Sequence, residues 1–199
     1  GGVSQGKALM INASVTIGGL NGVALSGFFA KDDFRDEERA AAGALVGQLI
    51  GLGAGIAAGS QFDPPAGRVA LANSAAFWSG VLLQAARLSN GREASSLSMA
   101  LGAQLGFIAG FSAWPGVRTN RLQSWIIDLG GLAGFIIGLS LSEQNNSGFG
   151  TDRSVNQGAY LAGGVLTGLG LGTALAVNMF DRETVAERWE DPESESRRW

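Results

Sequence analysis

The stretch GQLIGLGAGIAAG, residues 47–59, carries a glycine at every fourth position and no charged residue. These glycines, from Gly47 to Gly59, would lie above one another on one face of an α-helix. In water, glycine destabilises a helix by about 1 kcal/mol relative to alanine, so the spacing is unfavourable in a soluble helix. In lipid, helices associate through close contact of their backbones, which small residues permit. The stretch therefore predicts a membrane helix that meets its neighbour along glycines.

The charged residues of the chain are few and lie between long neutral segments. Of 199 residues, 16% are charged and 32 are glycine, whereas about a quarter of an average soluble protein is charged. The neutral segments are residues 8–30, 40–62, 69–86, 94–117, 122–142 and 154–180, and only the fifth is interrupted, by Asp128. Each is long enough to cross a hydrocarbon layer of roughly 30 Å at about 1.5 Å per residue. They predict six transmembrane helices.

The segments pair into three copies of a two-helix unit. Lys7 is followed five positions later by Asn12, Arg68 is followed at the same interval by Asn73, and Asp128 falls at the equivalent position of the third copy. The second segment of each copy carries glycines at i, i+4 and i+8, which predicts a helix-packing face. These glycines are Gly47, Gly51, Gly55, Gly102, Gly106, Gly110, Gly164, Gly168 and Gly172.

The repeats predict an all-α membrane protein built of three glycine-zipper helical hairpins. We expect the hairpins at roughly residues 6–60, 67–114 and 120–180, within a membrane domain over residues 1–180. Residues 181–199 form a polar tail that we expect to be partly disordered. Seven acids and four arginines in this tail account for the net charge of −3, so the membrane domain is neutral overall. Without a basic surface, nucleic-acid binding is not expected.

A transmembrane β-barrel of about 12 strands is the alternative fold. The stretch LMINASVTIG, residues 9–18, alternates apolar and small or polar residues, as a lipid-facing strand requires. Such barrels usually carry aromatic girdles, yet the chain has one tyrosine. Alanine and leucine also dominate over the residues that favour strands. The sequence favours helices.

Enzymatic chemistry has few candidate residues here. Cysteine and histidine are both absent from the sequence, which removes thiol nucleophiles, imidazole bases and the usual zinc ligands. The glycine runs of the neutral segments do not form a phosphate-binding motif, because none contains G-x-G-x-x-G and none is directly followed by a lysine. We expect neither an enzyme nor a cofactor or metal.

Asn12, Asn73 and Asp128 are the candidate polar site within the membrane. Polar and ionisable residues in apolar segments indicate function by default, and three equivalent positions could line an ion or proton path. The other interpretation is that each lies near the headgroups and hydrogen-bonds a neighbouring helix. Trp78, Trp114 and Trp125 lie near segment ends or turns, where we expect them to anchor the helices at the membrane surface.

These features predict a non-enzymatic integral membrane module with a structural or assembly role. The alternative is a passive channel or pore for ions or small solutes, either helical or an outer-membrane barrel. The glycine pattern is similar to that of membrane proteins that assemble into oligomers, which implies a homo-oligomer or a larger membrane complex, with the lipid bilayer as surroundings. Basic residues number six on each side, so the positive-inside rule assigns no orientation and favours neither the inner nor the outer membrane.

Overall fold

The computed structural model describes residues 3–27, 36–113, 121–145 and 153–190, and the regular elements within them are helices. The helices are α1 (Gln5–Ser26), α2 (Asp36–Gln61), α3 (Ala66–Ser89), α4 (Ser96–Ala113), α5 (Arg121–Asn145) and α6 (Arg153–Glu190). The barrel alternative finds no support in these ranges, because residues 9–18 lie inside α1 and no strand is formed. The helix α6 continues into the polar tail, whose last residues lie outside the described ranges.

Each of the six helices contains a segment long and apolar enough to cross a membrane. These segments have 18 to 25 residues, and the most apolar 18 residues of each have a mean hydropathy of 1.3 to 1.7. Their length follows from the charge-free runs of the sequence, because a helix of about 20 residues spans roughly 30 Å. The described chain is therefore all-helical and supports the prediction of a membrane protein.

A serine cap, a proline and a glycine determine where helices begin and end between the spans. The Ser4 hydroxyl accepts a hydrogen bond from the Lys7 backbone N–H at 3.2 Å, which caps the N-terminus of α1. The same hydroxyl donates to the Asp63 carboxylate at 2.5 Å and ties α1 to the loop before α3. Pro65 occupies the N-cap position of α3. After α3, the chain turns at Gly91, whose φ of 68° favours glycine.

The interior is built from small side chains, and the large apolar side chains point outward. Most buried apolar residues are alanines, and the buried polar residues are four serines. By contrast, twenty-six large apolar side chains are exposed among the described residues. A soluble protein of this size would cover most of such a surface. This distribution is typical of helices that pack through small residues and face lipid.

Consecutive helices form the closest pairs, α1 with α2, α3 with α4, and α5 with α6. Between the pairs, α1 packs on α3 and α4, while α3 packs on α5 and α6. The helix α3 therefore lies at the centre of the molecule. The helices α2 and α5 lie at opposite ends of the series.

Within each pair the two backbones are in direct contact at glycines. A Cβ added at Gly47 in α2 would lie 3.0 Å from the Cα of Gly22 in α1. A Cβ at Gly102 in α4 would lie 2.9 Å from the Cα of Gly80 in α3. The third pair, α5 and α6, makes the same kind of contact at Gly134 and Gly168. No larger residue fits these crossings unless the helices move apart.

Gly168→Ala should destabilise the protein, while Gly170→Ala in the same helix should not. A Cβ at position 168 would lie 2.9 Å from the Cα of Gly134 and would overlap the carbonyl oxygen of Gly130, but a Cβ at position 170 meets nothing within 4 Å. Overpacking of this kind costs about 1–3 kcal/mol. Alanine at the open position should be neutral or improve helix stability by up to about 1 kcal/mol. Unfolding in mixed micelles with increasing SDS, followed by circular dichroism, measures both; equal effects would contradict the backbone contact.

Candidate functional site

The Asp128 carboxylate of α5 accepts two hydrogen bonds from side chains of α3. Its Oδ1 atom receives one from the Ser74 hydroxyl and one from the Trp78 indole Nε1, the latter at 2.8 Å. Asp128 lies about 10 Å along α5 from the first residue of that helix. The bonds join the third helix pair to the central helix. They agree with the expectation that Asp128 hydrogen-bonds a neighbouring helix.

Trp78 reaches Asp128 because Gly131 leaves space for its ring. A Cβ added at Gly131 would lie 2.5 Å from the indole Cζ2 atom and 2.6 Å from Cε2. Gly131 follows Asp128 by three positions, so both lie on the same face of α5. The hydrogen-bond acceptor and the space for the ring are therefore adjacent on one helix face.

The prediction that Trp78 anchors the helix at the membrane surface is wrong. Its side chain is 5% exposed and lies between α3 and α5, because the indole N–H finds a carboxylate there. Trp125 is exposed, at 57%, which is compatible with such an anchor. Trp114 lies outside the described residues.

A cavity of about 450 Å³ opens beside this carboxylate, between α1, α3 and α5. Asn73 and Asp128 both line it, together with Trp125, and Leu9 forms part of the wall on α1. Asn12 does not line the cavity; it lies on an exposed part of α1. The structure thus brings together two of the three predicted polar residues.

All nine predicted packing glycines lie at helix crossings, whereas Gly59, which continues their spacing at the end of α2, does not. In α2, Gly51 meets the backbone of Ser14, and Gly55 approaches Ile11. In α4, Gly110 approaches Ala72, and in α6, Gly172 approaches Ile127. Gly59 contacts its neighbours at no less than 3.9 Å. The others, Gly47, Gly102, Gly106, Gly164 and Gly168, meet backbone or Cβ atoms within 3.0 Å of an added Cβ.

The glycines of α1 and α5 that complete these crossings were not predicted from the sequence. Gly18 and Gly22 of α1 face α2, and Gly130, Gly134 and Gly138 of α5 face α6. Their four-residue spacing was present in the sequence and could have identified them. Ser74 and Gly131 were missed because their importance depends on which helix lies opposite, which spacing does not indicate.

Two further polar contacts join helices within the spans. Asn21 of α1 accepts a hydrogen bond from the Gln104 amide of α4 at 2.5 Å. Gln84 of α3 donates to the Ser95 carbonyl at 2.6 Å and accepts from the Ser98 hydroxyl of α4 at 3.0 Å. Such bonds each stabilise a helix contact by about 1 kcal/mol or less.

Arg68 joins the start of α3 to the end of α4. Its Nε donates to the Phe111 carbonyl at 2.9 Å, and its guanidinium carbon lies 3.9 Å from the centre of the Phe111 ring. The carbonyl is among the last of α4, where a cation offsets the negative end of the helix dipole. The cation–π contact adds about 0.5–1 kcal/mol. This basic residue therefore has a structural use at the helix end.

Comparison with known proteins assigns no family to this chain. The chain gives no significant match to a protein-family model, to a curated protein or to a solved structure. Within the described residues, no group of three or more Cys, His, Asp or Glu residues could hold a metal ion. In the part of the chain that the structure describes, the fold and the site define an all-helical arrangement with six helices able to span a membrane and the Asp128 carboxylate hydrogen-bonded between two of them.

Asp128→Leu should destabilise the protein more than Asp128→Asn. Leucine removes the acceptor and leaves the buried Trp78 N–H unpaired, which costs about 1–3 kcal/mol. Asparagine keeps an oxygen at the same position and serves as the matched control. Unfolding in SDS-containing mixed micelles, followed by near-ultraviolet circular dichroism of the tryptophans, measures the difference. Equal stability of the two variants would show that the bonds to Asp128 do not hold α3 and α5 together.

Proposed function

We propose that the protein is an integral membrane structural or assembly module without enzymatic activity. The observation that carries this proposal is the direct backbone contact within all three helix pairs. Helices that touch along glycines gain van der Waals contact over a long interface, and in lipid this contact drives their association. Three such glycine-zipper hairpins, as the sequence repeat suggests, make a rigid body whose outer surface is available for contacts.

The distribution of side chains supports a location in the bilayer. Large apolar residues cover the outside and small residues fill the inside, so lipid can solvate the surface without exposing polar backbone. The surroundings are the lipid bilayer, and other copies or a larger membrane complex are the proposed partners.

A passive pore for ions or small solutes is the second candidate function. The specific observation in its favour is the cavity beside Asp128, which is also lined by Asn73. A carboxylate within a membrane span favours cations and commonly marks their path. The separate position of Asn12 on the exposed part of α1 weighs against a path lined by all three residues.

The full chain should sediment with membranes and remain there after extraction with alkaline carbonate. This outcome follows because the twenty-six large apolar side chains that are exposed in the described ranges would otherwise face water. In detergent the circular dichroism spectrum should be that of an α-helical protein. Recovery of the chain in the aqueous fraction without any detergent would contradict the proposed location.

Reconstituted into planar bilayers, the protein should carry no current if it is a structural module. A steady current would instead support the pore, and Asp128→Leu then tests the path. Loss of the current in both Asp128→Leu and Asp128→Asn, of which the second keeps an acceptor for Trp78, but not in the neighbouring Leu132→Ala, would assign the path to the carboxylate. A current that is unchanged by Asp128→Leu would remove the proposed role of Asp128.

A further inference from the structure

One arrangement of helices joins the first pair to the second and also the second pair to the third. In this arrangement, called the step below, the first helix of one pair packs on both helices of the next pair. In the first step α1 packs on both helices of the next pair, α3 and α4. In the second step α3 packs on both helices of the pair after that, α5 and α6. The first helix of each pair thus contacts the whole of the following pair. A third use of the step would place another pair against α5.

The repeat of the sequence identifies the α5 residues that this step would use. Asn12 and Asn73 are 61 positions apart, and Asn73 and Asp128 are 55 apart. These intervals align one face of α1 with one face of α3. Both faces are buried or half-buried. The residues are Ala13, Ile17, Asn21 and Ala24 in α1, and Ser74, Trp78, Leu82 and Ala85 in α3.

The aligned face of α5 is exposed throughout. Leu129 is 58% exposed and Ile137 is 57% exposed, and Ala133 and Ser140 on the same face are exposed too. Their spacing of three to four residues places them in one line along the helix. The surface that α1 and α3 bury against the next helix pair is therefore uncovered on α5, and its Leu129 end borders the cavity between α1, α3 and α5.

The complementary surface is exposed at the other end of the molecule. The intervals between Gly47, Gly102 and Gly164 align Ala103 of α4 with Val165 of α6, which are 3% and 0% exposed. The aligned residue of α2 is Gln48, which is exposed although its side chain lies over Gly19 of α1, where an added Cβ would be 3.0 Å from the Gln48 Cγ atom. Leu45 and Leu52 flank it on the same face and are exposed as well. This position is thus buried in α4 and α6 but exposed in α2, whereas the α4 residue that hydrogen-bonds α1, Gln104, aligns with the exposed Leu166 of α6.

Gln48 favours a protein over lipid as the occupant of this surface. Gln48 is twelve residues from the start of α2, near the middle of the span, and within the described residues its amide takes part in no side-chain hydrogen bond. Lipid chains offer an amide no partner, whereas a protein surface can. The occupant is not α5 of the same chain, because α5 packs on α6 and α3, and a cavity separates it from α1.

We propose that α5 of one copy packs against the α1–α2 pair of a second copy and continues the internal step. The inference rests on the proposed role as a membrane assembly module and names its partner as the same chain. Because the two surfaces differ, the contact is head-to-tail, which produces a ring if the rotation closes and an open row otherwise. The contacts of α1 with α3 and α4, and of α3 with α5 and α6, define the geometry expected for the contact between copies.

Cross-linking in membranes tests the contact, since the chain has no cysteine. The hydrogen-bonded residues Asn21 and Gln104 align with Ile137 and Leu49 in the repeat. Leu49→Cys and Ile137→Cys are made in separate chains with different tags, mixed in one bilayer and treated with a short bis-methanethiosulfonate reagent. We expect a mixed dimer that carries both tags, and a loss of this product when Ala133→Phe is added to the Ile137→Cys chain.

Two controls make the result specific. Leu105→Cys mixed with Leu171→Cys, at comparably exposed positions of α4 and α6, should give no dimer above background. Asn21→Cys combined with Gln104→Cys in one chain should cross-link internally and shows that the fold is intact. Dimers formed by Leu49→Cys alone would indicate a symmetric contact and overturn the proposal. Absence of the mixed dimer, with internal cross-linking and membrane retention preserved, would overturn it while leaving the structural module in place.

Discussion

Contact between the backbones of paired helices is the constraint on which the rest of the structure depends. At Gly18, Gly134 and their partners, no side-chain atom separates the two helices. This closeness leaves room inside the molecule mainly for alanine and serine, so most of the larger apolar residues lie on the outside. The same outward distribution would be unfavourable in water and is suitable in lipid. Helix pairing and membrane location therefore both follow from the backbone contact at glycines.

Contacts between the pairs follow a different principle from contacts within them. Within a pair, glycines repeat every four residues and the interface is long; between pairs, single features position the helices. Trp78 occupies the space above Gly131 and donates to Asp128, while Gly158 lets the start of α6 approach Ala85 at the end of α3. A hydrogen bond between helices is worth about 1 kcal/mol or less in lipid, so such contacts fix orientation more than they drive association.

The sequence predicted the helices well because charge placement and hydropathy are local properties. The charge-free segments gave all six spans, although α2 begins earlier, at Asp36, and α6 extends further, to Glu190. Charged residues can continue a helix beyond a span, which segment counting does not detect. The role of Trp78 was not predictable in this way, because it depends on a carboxylate fifty residues away. Equivalent positions in a repeat, such as Asn12 and Asp128, likewise need not be neighbours in space.

The separation of Asn12 from the other two polar residues follows from the arrangement of the pairs. A closed ring of three equivalent units would bring equivalent residues to one axis, and a polar path could form there. Here the pairs form an open series, in which α3 contacts both neighbours while α2 and α5 lie at the ends. Asp128 and Asn73 line the same cavity because their helices are adjacent, not because three copies converge. An open series leaves two unlike surfaces at its ends, which suits a module that is extended by further contacts better than it suits a pore enclosed by one chain.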